Sequence, residues 1–153
     1  MTKQKTISKD TPLAELTLRR YEKPGRLSKR DLIRKLCLSI GLLQPGDSRD
    51  VIVDVFAVLV KSRREMKALT SEEVKDESIK YRKEHNLPLK GIASSNIRRQ
   101  LKRLKDLHLI EKRANKYRIT EFEELVVLFE EKIERILLTP LRSRVKEYFD
   151  AVK

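Results

Sequence analysis

The sequence predicts a mostly α-helical chain carrying one small β-hairpin. Three observations predict this. Apolar residues recur at i, i+3, i+4 and i+7 in several stretches, the period of a helix with one buried face. Two stretches open on capping-box patterns, Thr70-Ser-Glu-Glu73 and Thr120-Glu-Phe-Glu123. A hairpin pattern occurs where two short runs, Leu109 to Arg113 and Lys116 to Thr120, flank Ala114-Asn115.

Met1 to Asp10 is polar and basic. Thr11-Pro12 is a helix-opening pair, Thr as cap and Pro at the first helical position, and Lys23-Pro24-Gly25 would end that short helix. Residues 1–27 therefore read as a basic N-terminal arm, partly helical or disordered. Three roles stay open for it: an arm on DNA, a free tail, or a strap across a dimer. Ser28 caps the next expected helix, with Asp31 three residues on and Leu32, Ile33, Leu36, Cys37 and Ile40 as its apolar stripe. Gly41 to Asp47 breaks it. From Ser48 to Lys67 the middle, VIVDVFAVLV, taken alone also fits a buried strand. Asp47, Ser48 and Asp50 ahead of it and the cationic KSRREMK behind it favour a helix, since cations suit a helix C-terminus.

The box at Thr70 starts a helix running to about His85, and Asn86 to Gly91 forms a connection. Ser94 or Ser95 is expected to cap a helix spanning about 95–107. Pairing residue 110 with 119 and 112 with 117 puts Ile110, Tyr117 and Ile119 on one inner face, with Arg113, Lys116 and Arg118 outward. Tyr117 is then a core residue in preference to a base-stacking one. Asn tolerates positive φ and Ala does not, so the loop is expected to exceed two residues. The box at Thr120 starts a helix with Phe122, Leu125, Val126, Phe129, Ile133, Ile136 and Leu137 on one stripe. Thr139-Pro140 is expected to break it and start another, with Leu141, Val145, Tyr148, Phe149 and Val152 apolar. Residues 121–153 are thus a C-terminal helical extension, either folded back on the 28–41 helix or used as a dimerisation element; we expect a homodimer.

The chemistry concentrates in Ser94 to Thr120, SSNIRRQLKRLKDLHLIEKRANKYRIT. Ile97, Leu101 and Leu104 can pack on a core, while Arg98, Arg99, Lys102, Arg103 and Lys105 occupy the rest of the helix circumference. A helix held from behind with cations in front suits a DNA major groove, which admits one helix. Residues 80–118 hold thirteen Lys and Arg against three Asp and Glu, and residues 1–30 hold nine against three, whereas the rest is slightly acidic. A concentrated positive field attracts phosphate backbones.

These residues resemble the recognition helix and two-stranded wing of the winged-helix superfamily of DNA-binding domains. Leu69-Thr-Ser-Glu-Glu-Val74 is similar to the opening of the first helix of its helix-turn-helix. The likeness is strong over about 27 residues and loose over 51–137. It implies a winged helix-turn-helix with a small β-hairpin wing and extra N- and C-terminal helices, the core with its leading helix spanning 28–120. The chain departs from the pattern at His108, where such domains usually carry Gly, and in the long 86–93 connection.

The resemblance implies a non-enzymatic protein that binds double-stranded DNA, a transcriptional regulator. Helix 95–107 would read the major groove and wing 109–120 the backbone or minor groove. Asn96, Arg99, Gln100 and Arg103 are the candidates for base edges, because Asn and Gln pair with adenine and Arg with guanine. Ser95, Arg98, Lys102, Lys105, Arg113, Lys116 and Arg118 are the candidates for backbone contacts. Alternatives are a replication, partition or chromosome-architecture factor, and a protein-interaction or RNA-binding module.

The formal net charge of +13 and the scarcity of Asn, Gln and Cys beside abundant Lys, Arg and Glu have the bias of heat-adapted, archaeal-like proteins. The single cysteine, Cys37, excludes an internal disulfide and reads as a buried thiol. Two histidines and one cysteine match no zinc spacing, and the four glycines form no phosphate loop. His85 and His108 fall at expected helix ends, and the adjacent glutamate pairs diverge on their helices. We therefore expect no catalytic residue, metal or cofactor, and nothing identifies a small-molecule effector. With no long apolar run and no leader pattern, a cytoplasmic, nucleoid-associated protein is expected.

Overall fold

In the computed structural model, which describes residues 9–153, the apolar run VIVDVFAVLV is helical. We label the helices α1 (Lys29–Ser39), α2 (Val51–Arg64), α3 (Ser71–Glu84) and α4 (Ser94–Asp106). Every residue of α2 from Val51 to Val60 is buried, because α1, α3, α4 and the hairpin all pack around it. A helix apolar on all sides needs such a central place. Its one acidic residue there, Asp54, is wholly buried and ion-paired. Arg30 on α1 and Arg82 on α3 both reach it, and Asp50 joins the cluster with Arg34. Burial pushes the Asp50 carboxyl up, but the hydrogen bonds and charges of Arg82 and Arg30 outweigh it and hold the group below the ordinary carboxylate range.

The local start signals work where nothing competes. Ser28 Oγ accepts from the Asp31 amide at 3.2 Å. Thr70 and Glu73 form both bonds of the capping box, at 2.9 and 3.2 Å. The α3 C-terminus ends at His85, whose Nδ1 lies 2.8 Å from the Tyr81 carbonyl. Cys37 is buried as expected, and burial pushes its thiol up to about 12.

Strands β1 (Ile110–Arg113) and β2 (Lys116–Ile119) pair antiparallel in the expected register, Ile110 with Ile119 and Lys112 with Tyr117. Ile110, Tyr117 and Ile119 all face the core. Leu69 adds a bridge to Tyr117 through two backbone bonds of 2.9 and 2.6 Å, so β2 is flanked on both sides. The fold is mostly helical with a small two-stranded antiparallel sheet.

Four expectations need correction. No helix opens at Thr11; residues 12–24 form an irregular strap. Its Arg19 amide donates to the Ser39 carbonyl at 2.8 Å, and the Arg19 guanidinium reaches the carbonyls of Leu38 and Leu43 at 2.7 and 3.1 Å. The strap runs extended to make these bonds to the end of α1 and to the loop after it, and they compete with a short local helix. Gly41, at φ +78°, makes room: a Cβ there would stand 2.7 Å from the Thr17 Cβ.

The hairpin loop has two residues, not more: Ala114 and Asn115 both take positive φ, 50° and 63°, in the primed turn that fits strand twist. Thr120 caps no helix. Its hydroxyl donates to the His108 carbonyl at 2.9 Å, Glu121 and Phe122 turn through positive φ, and the helix waits until Leu125. Pro140 does not break the C-terminal helix either. α5 (Leu125–Leu128) continues through wider π-helical turns over Phe129–Leu138 into α6 (Thr139–Val152). Proline lacks a donor and crowds the carbonyl four residues back. A wider turn lets the Thr139 amide bond to Glu134, five residues back, and the Thr139 hydroxyl adds a 3.0 Å bond to the same oxygen.

Leu128 and Ile133 anchor this long helix on the core, while α6 has no buried residue. α6 does not lie on α1; Leu138, Leu141, Val145 and Phe149 line a groove with Leu16 and Leu18 of the strap. Among the described residues no helix is long and apolar enough to cross a membrane.

Candidate nucleic-acid interface

α4 is held by Ile97, Leu101 and Leu104, all at 0% exposure. Neither expected serine caps it. The cap is Ala93, without a side-chain bond, and Ser94 already lies in the first turn. The Ser94 hydroxyl accepts from Lys75 Nζ at 3.1 Å and donates to Glu72 Oε1 at 3.0 Å, so charged groups on α3 have captured it. This ties the start of α4 to the start of α3. His108, at the exit, takes φ 63°, the conformation for which glycine is the easier residue.

The structure separates the eleven candidate residues into two groups. Ser95, Arg98, Arg99, Lys102 and Lys105 stand exposed on the outward side of α4, and Arg113 and Lys116 stand exposed at the hairpin tip. Of these, Lys102 alone has an acidic partner among the described residues, Asp106 at 2.9 Å, and both are well exposed. At roughly 100° per residue, Ser95, Arg99 and Lys102 lie opposite the Ile97–Leu101–Leu104 stripe, with Arg98 and Lys105 along one flank.

The other group is turned inward. Asn96 Nδ2 donates to the Gly91 carbonyl at 2.7 Å, and Gln100 Nε2 donates to Asn96 Oδ1 at 3.0 Å. Arg103 Nη1 donates to Gln100 Oε1 at 2.9 Å, while its Nη2 reaches the Leu42 carbonyl at 2.6 Å. Three of the four candidates for base contact thus form one hydrogen-bonded ladder along the other flank of α4. It joins the helix to the 86–93 connection on one side and to the α1–α2 loop on the other. Arg99 is the one candidate of that set on the open face.

In the hairpin, Arg118 is likewise engaged. Its Nε lies 2.7 Å from Glu111 Oε2, and its guanidinium sits 4.7 Å over the Phe122 ring. Partial burial pushes the Glu111 carboxyl up, but bonds from the Glu121 amide and Arg118 prevail and hold it low. Lys112 is exposed on the same strand pair and was not singled out from the sequence; its Nζ lies 5.6 Å from the Tyr117 ring. Lys112 is the cross-strand partner of Tyr117, so the alternation that buries Tyr117 assigns Lys112 to the same inner face and gives no signal of its exposure.

The long α3–α4 connection is anchored. Arg82 Nε donates to the Pro88 carbonyl at 2.8 Å, and the Leu87 amide donates to the Arg82 carbonyl at 2.9 Å. The buried ion cluster therefore reaches, through Arg82, the segment that delivers α4. No family model, curated protein or solved structure matches this chain.

Proposed function

We propose that this chain is a winged helix-turn-helix protein that binds double-stranded DNA and regulates transcription. In this reading α4 enters the major groove, and the β1–β2 wing lies along the backbone or in the adjacent minor groove. The order helix, bridging residue, helix, helix, strand, strand from Val51 to Ile119 supports the fold assignment. The observation that carries the function is the exposed, largely acid-free face of α4. Six cations, Arg98, Arg99, Lys102, Lys105, Arg113 and Lys116, project from one helix and one hairpin tip whose apolar sides are buried.

Arg99 is the base-reading residue in this proposal, with Ser95 and Lys102 beside it on the groove-facing side. Asn96, Gln100 and Arg103 act by fixing the helix's orientation. The other four cations hold phosphates. Four neutralised phosphates on duplex DNA correspond to a slope of log affinity against log salt of about −3.6. Anisotropy titrations of a duplex selected from a random pool, across salt concentrations, measure it. Arg99→Ala should flatten the preference for the selected duplex while leaving the circular dichroism spectrum unchanged. A slope near zero would overturn DNA binding through this face. Equal or tighter binding of duplex RNA would favour an RNA-binding role.

A further inference from the structure

The loop between α1 and α2 is gripped from two sides by arginines that come from distant parts of the chain. Leu42 and Leu43 in that loop are buried in the core. Among the described residues, no backbone amide donates to either of their carbonyls. A peptide oxygen in a buried turn needs a donor from elsewhere. Arg103 of α4 supplies one, its Nη2 donating to the Leu42 carbonyl at 2.6 Å. Arg19 of the strap supplies the other, its Nη1 donating to the Leu43 carbonyl at 3.1 Å. The same guanidinium holds the Leu38 carbonyl at 2.7 Å and the Gln44 side-chain oxygen, so it ties the end of α1 to the loop.

Every bond that these two guanidiniums make goes to a neutral oxygen. They act as forks between elements, in the way a planar guanidinium can and an ammonium cannot. The Leu42 and Leu43 carbonyls belong to consecutive peptide planes hinged at the Leu43 Cα, so fixing one limits the other. Arg103 also holds Gln100, and Gln100 holds Asn96. What fixes the Leu42 carbonyl therefore fixes one flank of α4 over about two turns.

We propose that Arg19 is a positioning residue for DNA selection by α4. Acting through the Leu43 and Leu42 carbonyls and Arg103, it holds the helix at the angle at which Arg99 meets a base edge. This rests on the reading of α4 as the DNA-contacting helix, but its first test needs no nucleic acid. Urea unfolding of Arg19→Ala, Arg103→Ala and the double variant forms a closed cycle. A shared loop makes the double variant cost less than the sum of the single ones, because the first substitution has already loosened what the second would release. Independent sites give the sum, and mutual repulsion of the two cations gives more than the sum; either result overturns the clamp.

On DNA, Arg19→Ala should reduce the preference for the selected duplex over an unrelated one by about fivefold, with the salt slope unchanged. Arg19→Lys should lose nearly as much, because one ammonium cannot span the Leu38, Leu43 and Gln44 oxygens. Full rescue by lysine, or a slope shallower by about 0.9, would place Arg19 on a phosphate and overturn the proposal. An unchanged preference in Arg19→Ala overturns it too. A wild-type chain with no preference among duplexes overturns the DNA reading of α4 and with it the role of Arg19 in selection, while the urea cycle shows separately whether the clamp exists.

Discussion

Asp54→Ala is the substitution on which the account of the core can be tested hardest. Asp54 is wholly buried in the middle of α2 and accepts three charge-assisted bonds. Arg30 Nε and Nη2 lie at 3.0 and 3.1 Å, and Arg82 Nη1 at 2.6 Å. Three such bonds amount to roughly 4–9 kcal/mol if each is lost outright. The loss is smaller, because Arg30 and Arg82 keep Asp50 at 3.2 and 3.0 Å. Removing one partner from a buried pair costs about 3–5 kcal/mol, chiefly through the buried cations left behind. We expect about 4 kcal/mol for Asp54→Ala, and a Tm lower by about 8–16 °C for a chain of this size. Asp54→Asn, which keeps the acceptor oxygen and most of the volume, should cost about half as much. Urea unfolding followed by far-ultraviolet circular dichroism gives both values, with an unchanged m-value as the check that the unfolded state is the same. A cost under about 1 kcal/mol for the alanine variant would refute the view that this cluster ties α1 and α3 to α2.

Two further outcomes follow from the backbone and from the titrating groups. Ala114→Gly removes the strain of a Cβ at φ 50° in the hairpin turn. That strain is about 1–2 kcal/mol and is partly offset by the looser unfolded chain. The variant should therefore gain about 0.5–1 kcal/mol in the same urea assay, and a loss would contradict the two-residue turn. Asp50 is held below its ordinary 3.8, and Glu73 and Glu111 below their ordinary 4.5. Groups depressed in the folded state contribute stability above their unfolded pKa and lose it as pH falls through the folded value. Urea midpoints should stay level from neutral pH to about 5 and fall below about 4; a midpoint that rises on acidification would count against these pairings.

Much of this architecture is legible in the residues, and the failures have a common cause. The box at Thr70 and the cap at Ser28 form as read, because nothing else competes for those hydroxyls. Thr120-Glu-Phe-Glu123 has the same pattern and fails, because the Thr120 hydroxyl meets the His108 carbonyl twelve residues away in sequence. Ser94 is drawn off by Glu72 and Lys75 in the same way. Thr11-Pro12 is overruled by the end of α1 and the loop after it, whose carbonyls take Arg19. A short polar signal has one hydrogen bond to give, and only the assembled chain shows which partner receives it.

The α4 face divides along the same line. Periodicity alone assigns Ile97, Leu101 and Leu104 to the inside and leaves the polar residues outside, and the structure agrees on the three anchors. It does not tell Arg99 from Arg103. Arg103 lies off to one side of the helix, where the Leu42 carbonyl from the α1–α2 loop is within reach, and Arg99 has no such neighbour among the described residues. Asp54 is a still sharper case. In the chain it is one acid inside an apolar run, and its arginines lie 24 residues before it and 28 after it. Spacing along a helix is a local property, so the residues themselves settled which side of each segment is apolar and where the basic charge accumulates. Which polar side chains remain available to a partner depends on groups brought close from distant segments, and that was decided only when the helices packed.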